Sequence, residues 1–192
     1  MLVAPDDEVV AGVASRVAGG EGTLDAEASG DVSVAVDVDR LYKRVREHGQ
    51  GLDVLFANAA INHIATLDEL TEDIHDAVFD INVKGTFLTV HKALPLLNDH
   101  ASVILTASTA AESGAAGMSA YGASKAAVRA YARAWADELG SRGVRVNAIS
   151  PGPVNPPMWD AAFGDRAGEM MEAVAVGLPP SGSPTRTRSP PP

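Results

Sequence analysis

Cysteine is absent from the 192 residues of this chain. That excludes a disulfide framework and a thiolate metal site. Histidine does not fill the gap: His48, His63, His75, His91 and His100 are scattered, match no HExxH-type ligand spacing, and are expected in surface or packing roles with no metal. Positive charge is scarce too. A formal net charge of −10 would repel a phosphate backbone, which argues against a nucleic-acid partner. No apolar run is long enough to span a bilayer, so no membrane is expected. The opening MLVAPDDEVV turns acidic at once and has no basic region ahead of an apolar stretch, unlike a signal peptide. A cytoplasmic protein is the expectation.

What remains is ordinary globular material. Hydrophobic residues make up 46% and charged residues 21%, and the length suffices for one domain with a real core. Short apolar runs over 52–60 (LDVLFANAA), 101–108 (ASVILTAS) and 144–150 (VRVNAIS) read as strands of a parallel sheet covered on both faces. A fourth run over 23–32 (TLDAEASGDV) is more polar and reads as a weaker strand. Helical periodicity lies between them, over 7–18, 37–49, 67–97 and 119–143. Thr71 is a cap candidate in the third helix, and Gly49 marks the end of the second. Strands alternating with helices predict an α/β, doubly wound parallel sheet, Rossmann-like, over residues 1–176. Residues 177–192 (GLPPSGSPTRTRSPPP) lack apolar periodicity and are expected to form an extended, disordered tail.

Within the last helix the stretch SAYGASKAAVRAYARAWADEL sets Tyr121 four positions before Lys125, which places both on one face. A phenol beside an ammonium ionises more readily and can exchange a proton with an alcohol oxygen. Ser108 ends a predicted strand, where ligands gather in open α/β sheets, and its hydroxyl could hold a carbonyl beside the phenol. ANAA (57–60) and SPGPVNPPM (150–158) also follow strands, and their small residues and Pro-Gly turn let a flat ligand approach the backbone. Taken singly, each has a plain structural reading: a surface tyrosine, a loop serine, an ordinary strand-end loop.

Together, ANAA, INVKGTF, ILTAS, YGASK and RVNAISPGPV stand in an order and spacing that resembles the short-chain dehydrogenase/reductase family, over roughly residues 31–158. The resemblance implies an NAD(P)-dependent oxidoreductase that interconverts an alcohol and a carbonyl of a small-molecule substrate. It implies Tyr121 as general acid/base, Lys125 lowering its pKa and bonding the nicotinamide ribose, Ser108 positioning the substrate oxygen, and Asn82, within the long helix, keeping a water for the proton relay. It implies cofactor contacts at Asp31 and Val32 (adenine end), Asn58 and Ala59 (central part), and Pro151, Gly152 and Val154 (nicotinamide), besides Tyr121 and Lys125. It further implies a homodimer or homotetramer built on the two long helices, whose Ala126, Ala127, Ala130 and Ala134 offer small packing surfaces. Asp6, Asp7 and Glu8 lie near the expected ribose site and lean the cofactor toward NAD over NADP.

The sequence departs from the family at both ends. The family's opening strand, T-G-x-x-x-G-x-G loop and helix, which hold the pyrophosphate, have no counterpart: AGGEGT (18–23) follows a helix and precedes a strand. The first and last strands of the family are therefore expected to be missing, leaving an incomplete sheet. A misplaced start, a frameshift near Val176 or a decayed gene would each give this pattern. Ala60 stands where the family usually has Gly, and Pro156 where it usually has a Thr that helps hold the cofactor. The alternative expectation is a catalytically silent remnant acting as a binding or subunit-interaction module.

Overall fold

A computed structural model of the chain describes residues 30–152. The expected helix over 7–18, residues 23–29 of the expected first strand, Val154, Pro156 and the tail lie outside the described residues.

Three strands, β1 (Leu52–Ala57), β2 (Leu97–Thr106) and β3 (Arg145–Ile149), form a parallel sheet in the order β1-β2-β3. Leu55 pairs with Val103, and Val103 with Val146. Parallel neighbours need long crossovers, and helices supply them. Helix α1 (Ala35–His48) precedes β1. A composite helix, α2 (Glu72–Phe79), a π turn (Asp80–Gly85) and α3 (Thr86–Ala93), joins β1 to β2. The short α4 (Ala110–Ser113) and the long α5 (Ser119–Glu138) join β2 to β3.

Local chemistry sets these bounds. Val38, Leu41, Tyr42 and Val45 recur at helical spacing on the buried face of α1, and Gly49 ends it in the left-handed region at φ 79°. The Thr71 hydroxyl accepts from the Ile74 N–H at 3.3 Å and starts α2 there. Residues 67–70 are therefore not helical; they form a turn in which the Thr66 carbonyl accepts from the Glu69 and Leu70 N–H groups. The expected single helix is also broken at its centre by the π turn and closes in a 3-10 turn, Leu94–Leu96, that contains Pro95. The expected first strand is corrected in its described part, where residues 30–32 are irregular and lead into α1.

Alternation along the strands builds the core. Leu55, Val103, Leu105 and Val146 point to one face and join Val38, Tyr42 and Val45 of α1, Val90 and Ala93 of α3, and Val128 and Ala132 of α5 in one buried cluster. The Tyr42 hydroxyl donates to the Thr89 carbonyl at 2.7 Å, tying α1 to α3, and burial drives its pKa far above the ordinary value. The other face differs from expectation. Among the described residues no helix covers it, and Phe56 and Ile149 stay 45% and 42% exposed. On α5, Ala120, Ser124, Lys125, Val128 and Ala132 turn inward, while Ala126, Ala130 and Ala134 are exposed.

One contact fixes the π turn against the entry to α1. Val32 is buried, and a Cβ placed on Gly85 would lie 2.6 Å from its Cγ2. A branched side chain cannot withdraw from that approach as the tip of a lysine could. Gly85→Ala is expected to lower stability by about 1–3 kcal/mol through overpacking, read as a fall in the urea midpoint with an unchanged slope.

Candidate active site

The site gathers where the strands end. Ala107 donates to the Ile149 carbonyl at 2.8 Å and Thr109 to the Pro151 carbonyl at 3.1 Å, so the β2–β3 ladder runs on past both strands and fixes the backbone on either side of Ser108. The Ser108 hydroxyl accepts from the Ala110 N–H at 3.2 Å as α4 begins. Gly122 lets α5 start close by, since a Cβ there would sit 2.8 Å from the Ala110 carbonyl oxygen. Tyr121 is thereby brought to Ser108. Burial pushes the Tyr121 phenol above its ordinary pKa, and a hydrogen bond with the Ser108 side chain pulls it partway back. That differs from the expected lowering by Lys125: burial is the larger influence on the phenol.

Lys125 is only 2% exposed. Its Nζ donates to the Thr106 carbonyl at 2.8 Å and stands 5.7 Å from the centroid of the Tyr121 ring. Among the described residues no carboxylate is in ion-pair range of it, and desolvation lowers its pKa to about 8. Thr106 is a junction the sequence reading missed. Its hydroxyl also donates to Asn58 Oδ1 at 2.8 Å, joining the ends of β1 and β2. The signal was a polar residue at the end of an apolar run, two positions before Ser108.

Asn82 lies in the π turn and is fully buried. Its Oδ1 accepts from the Ile61 N–H at 2.8 Å, while Nδ2 donates to the Ile61 carbonyl at 2.9 Å and to Ser124 Oγ at 3.0 Å. Both donors are therefore in use. Its main-chain carbonyl accepts from the Thr86 hydroxyl at 2.7 Å. Ser124, also missed, sits inside the YGASK motif on the inward face of α5.

The structure thus brings Asn58, Asn82, Ser108, Tyr121 and Lys125 into one connected region. Asp31 makes none of these contacts. Its Oδ1 accepts from the N–H and the hydroxyl of Ser33, each at 2.8 Å, and its own N–H donates to Asp37 Oδ2 at 2.9 Å, which caps the turn into α1. Val32 packs on Gly85. Ala59 is half-buried in the loop after β1. Gly152 is exposed, and a Cβ there would touch nothing within 4 Å, so open space lies beside the end of β3. Among the described residues no cluster of His, Asp and Glu could hold a metal ion, and no helix is long and apolar enough to cross a membrane.

Comparison with known proteins agrees with this architecture. The family model described as enoyl-(acyl carrier protein) reductase matches residues 3–183. Oxidoreductase asL5 of Sarocladium schorii is 39% identical over 143 residues, 73% of this chain and 57% of that protein. Galactitol 2-dehydrogenase of Agrobacterium fabrum is 36% identical over 159 residues, 78% of this chain and 62% of the relative. A crystal structure of a short chain dehydrogenase from Burkholderia cenocepacia in complex with NADP superposes with a TM-score of 0.67 at 35% identity, covering 74% of this chain and 58% of the other. The chain spans less than two thirds of the length of these relatives.

The buried ammonium has a measurable consequence. Below pH 8 both folded and unfolded Lys125 hold the proton, and the fold carries the full desolvation cost. Between about 8 and the ordinary 10.5 the unfolded chain binds more protons, so stability rises with pH. The rise is about 3 kcal/mol at most. Lys125→Met is expected to remove that rise and to be at least as stable as the parent at pH 7, measured by urea unfolding across pH 7–10.

Proposed function

This chain belongs to the short-chain dehydrogenase/reductase family, and we propose that it acts as an NAD(P)-dependent oxidoreductase interconverting an alcohol and a carbonyl by hydride transfer. The observation that carries the reading is the cluster of Ser108, Tyr121 and Lys125 at the ends of the strands. The printed name of the galactitol dehydrogenase relative supports carbon–oxygen chemistry.

The described residues fit the nicotinamide end of a dinucleotide. Asn58, Ala59 and Pro151 are half-buried and Gly152 is exposed at the strand ends. Lys125 gives one of its three N–H groups to Thr106 and keeps two for ribose hydroxyls. When bound, the nicotinamide supplies the hydride donor or acceptor. Ser108 holds the substrate oxygen. In reduction, Tyr121 delivers its phenolic proton to that oxygen as it becomes an alcohol. Lys125 stabilises the phenolate left behind, and a water held at the Asn82 carbonyl returns the proton. Asp31 and Val32 are assigned to the adenine side through their backbone, since the Asp31 carboxylate serves its own turn and the Val32 side chain is buried. Val154 is assigned to the nicotinamide, and Asp6, Asp7 and Glu8 favour NAD. The exposed Ala126, Ala130 and Ala134 of α5 support a homodimer or homotetramer, in the cytoplasm.

A second reading, a catalytically silent interaction module, is favoured by one observation: the pattern T-G-x-x-x-G-x-G does not occur in the sequence. That pattern is what presents backbone donors to a pyrophosphate. Losing two or three charge-assisted hydrogen bonds weakens binding by roughly three orders of magnitude.

Three measurements test these readings. Tyr121→Phe in an active form is expected to lose about a hundredfold or more in turnover with little change in cofactor affinity; near-parental turnover removes Tyr121 from the mechanism. Calorimetric titration of NAD and NADP into the 192-residue chain is expected to show weak binding, with NAD ahead once a glycine-rich segment is added in front. Micromolar binding by the chain alone would show that another segment holds the phosphates. Sedimentation is expected to show a dimer or larger species, and a folded monomer at high concentration would count against the α5 interface.

A further inference from the structure

Helix α5 has to aim two side chains at once: Tyr121 at Ser108, and Lys125 at the Thr106 carbonyl. Both directions depend on the rotation of the helix about its axis. Ser124 lies next to Lys125 on the inward face and is fully buried. The other inward positions, Ala120, Val128 and Ala132, are apolar. Alanine would fill the position with better helix propensity, so a serine there requires a hydrogen-bonding reason. The structure supplies one. Ser124 Oγ accepts from Asn82 Nδ2 at 3.0 Å and donates to the Tyr121 carbonyl at 2.7 Å.

Asn82 is itself clamped to both backbone groups of Ile61. A continuous path of hydrogen bonds therefore runs from the loop after β1, through the π turn, to the first turn of α5. A second path begins at the other end of the same loop: Thr106 donates to Asn58, and Lys125 donates to Thr106. The two paths meet on adjacent residues of α5, Ser124 and Lys125.

We propose that Ser124 is a positioning residue whose hydrogen bond with Asn82 sets the rotation of α5, holding the Lys125 ammonium against Thr106 and the Tyr121 phenol against Ser108. The catalytic meaning of this setting rests on the reading of Tyr121 and Lys125 as a proton-transfer pair; the positioning itself is a statement about geometry. The test therefore reads Lys125 directly and needs no turnover.

The full chain is labelled with an isotope at lysine Cε and titrated by NMR between pH 6 and 10. Its lysines are Lys43, Lys84, Lys92 and Lys125, and Lys125→Met assigns the relevant signal. The parent is expected to titrate near 8. In Ser124→Ala the first turn of α5 is released, water reaches the ammonium, and the midpoint is expected to rise by about one unit or more. Ser124→Cys keeps the volume with a weaker hydrogen bond and is expected to fall between, and it reads the proposal alone if the alanine variant unfolds. Thr89→Val removes a comparable hydroxyl, the one that donates to the Gly85 carbonyl at 2.7 Å, and is expected to leave the midpoint in place. An unmoved midpoint in the Ser124 variants overturns the proposal, as does an equal shift in Thr89→Val. Full turnover in Tyr121→Phe would instead remove the proton-transfer reading and leave the Ser124 result standing.

Discussion

The carboxamide of Asn82 is the constraint on which the site depends. It grips both backbone groups of Ile61 and reaches Ser124 from a position with no exposure to solvent. Leaving a buried amide group unpaired costs about 1–3 kcal/mol, so the loop after β1, the π turn and α5 are held to a mutual setting that satisfies all of these bonds. The π turn is part of the same solution. A regular α-helix through residues 80–85 would rotate Asn82 relative to α2 and α3, whereas the wider turn aims it at Ile61. Gly85, with Val32 packed against it, holds that turn from the other side.

The same burial sets the electrostatics. Among the described residues Lys125 bonds a neutral carbonyl and Tyr121 a hydroxyl, and desolvation dominates both. The two shifts run in opposite directions, phenol up and ammonium down, and both favour the neutral forms. Neither is what a stable interior would select. Such unfavourable arrangements concentrate at functional sites, where surrounding structure maintains them. Here the maintenance is visible: Thr106 holds Lys125, Ser108 meets Tyr121, and Gly122 brings α5 to α4.

Much of this was legible in the sequence, for identifiable reasons. The apolar runs gave strands within a few residues of β1, β2 and β3, and the Gly49 stop and Thr71 cap appear where their chemistry places them. The 67–97 run was read as one helix because hydrophobic periodicity does not register a π turn, which shifts the phase without breaking the pattern. β2 begins at Leu97 rather than Ala101 because an irregular stretch separates the Leu52–Leu97 and Val54–Ser102 pairs, and nothing in the sequence period marks it. Motif matching singled out Asn82, Ser108, Tyr121 and Lys125, which the fold brings into one region. It could not find Thr106, which acts on Lys125 through a backbone carbonyl, or predict that burial would raise the Tyr121 phenol, because desolvation is a property of the packed structure.

The site and the sheet also differ in what they require. Among the described residues, the contacts that set Ser108, Tyr121 and Lys125 come from β1, β2, β3, the π turn, α4, α5 and the loops at the strand ends. The buried core behind them lies wholly between the sheet and α1, α3 and α5. The packing behind Ser108, Tyr121 and Lys125 is thus supplied by one face of the sheet, while Thr106, paired with Ile149, reaches Asn58 from the other. Phe56 and Ile149 belong to that second face and are exposed. Holding a dinucleotide is a different demand, because a diphosphate needs backbone donors and a helix N-terminus aimed at it. Chemistry and cofactor affinity are therefore separable in this fold. A chain can keep the Ser108–Tyr121–Lys125 cluster in full while affinity for a dinucleotide is decided by residues that take no part in setting it.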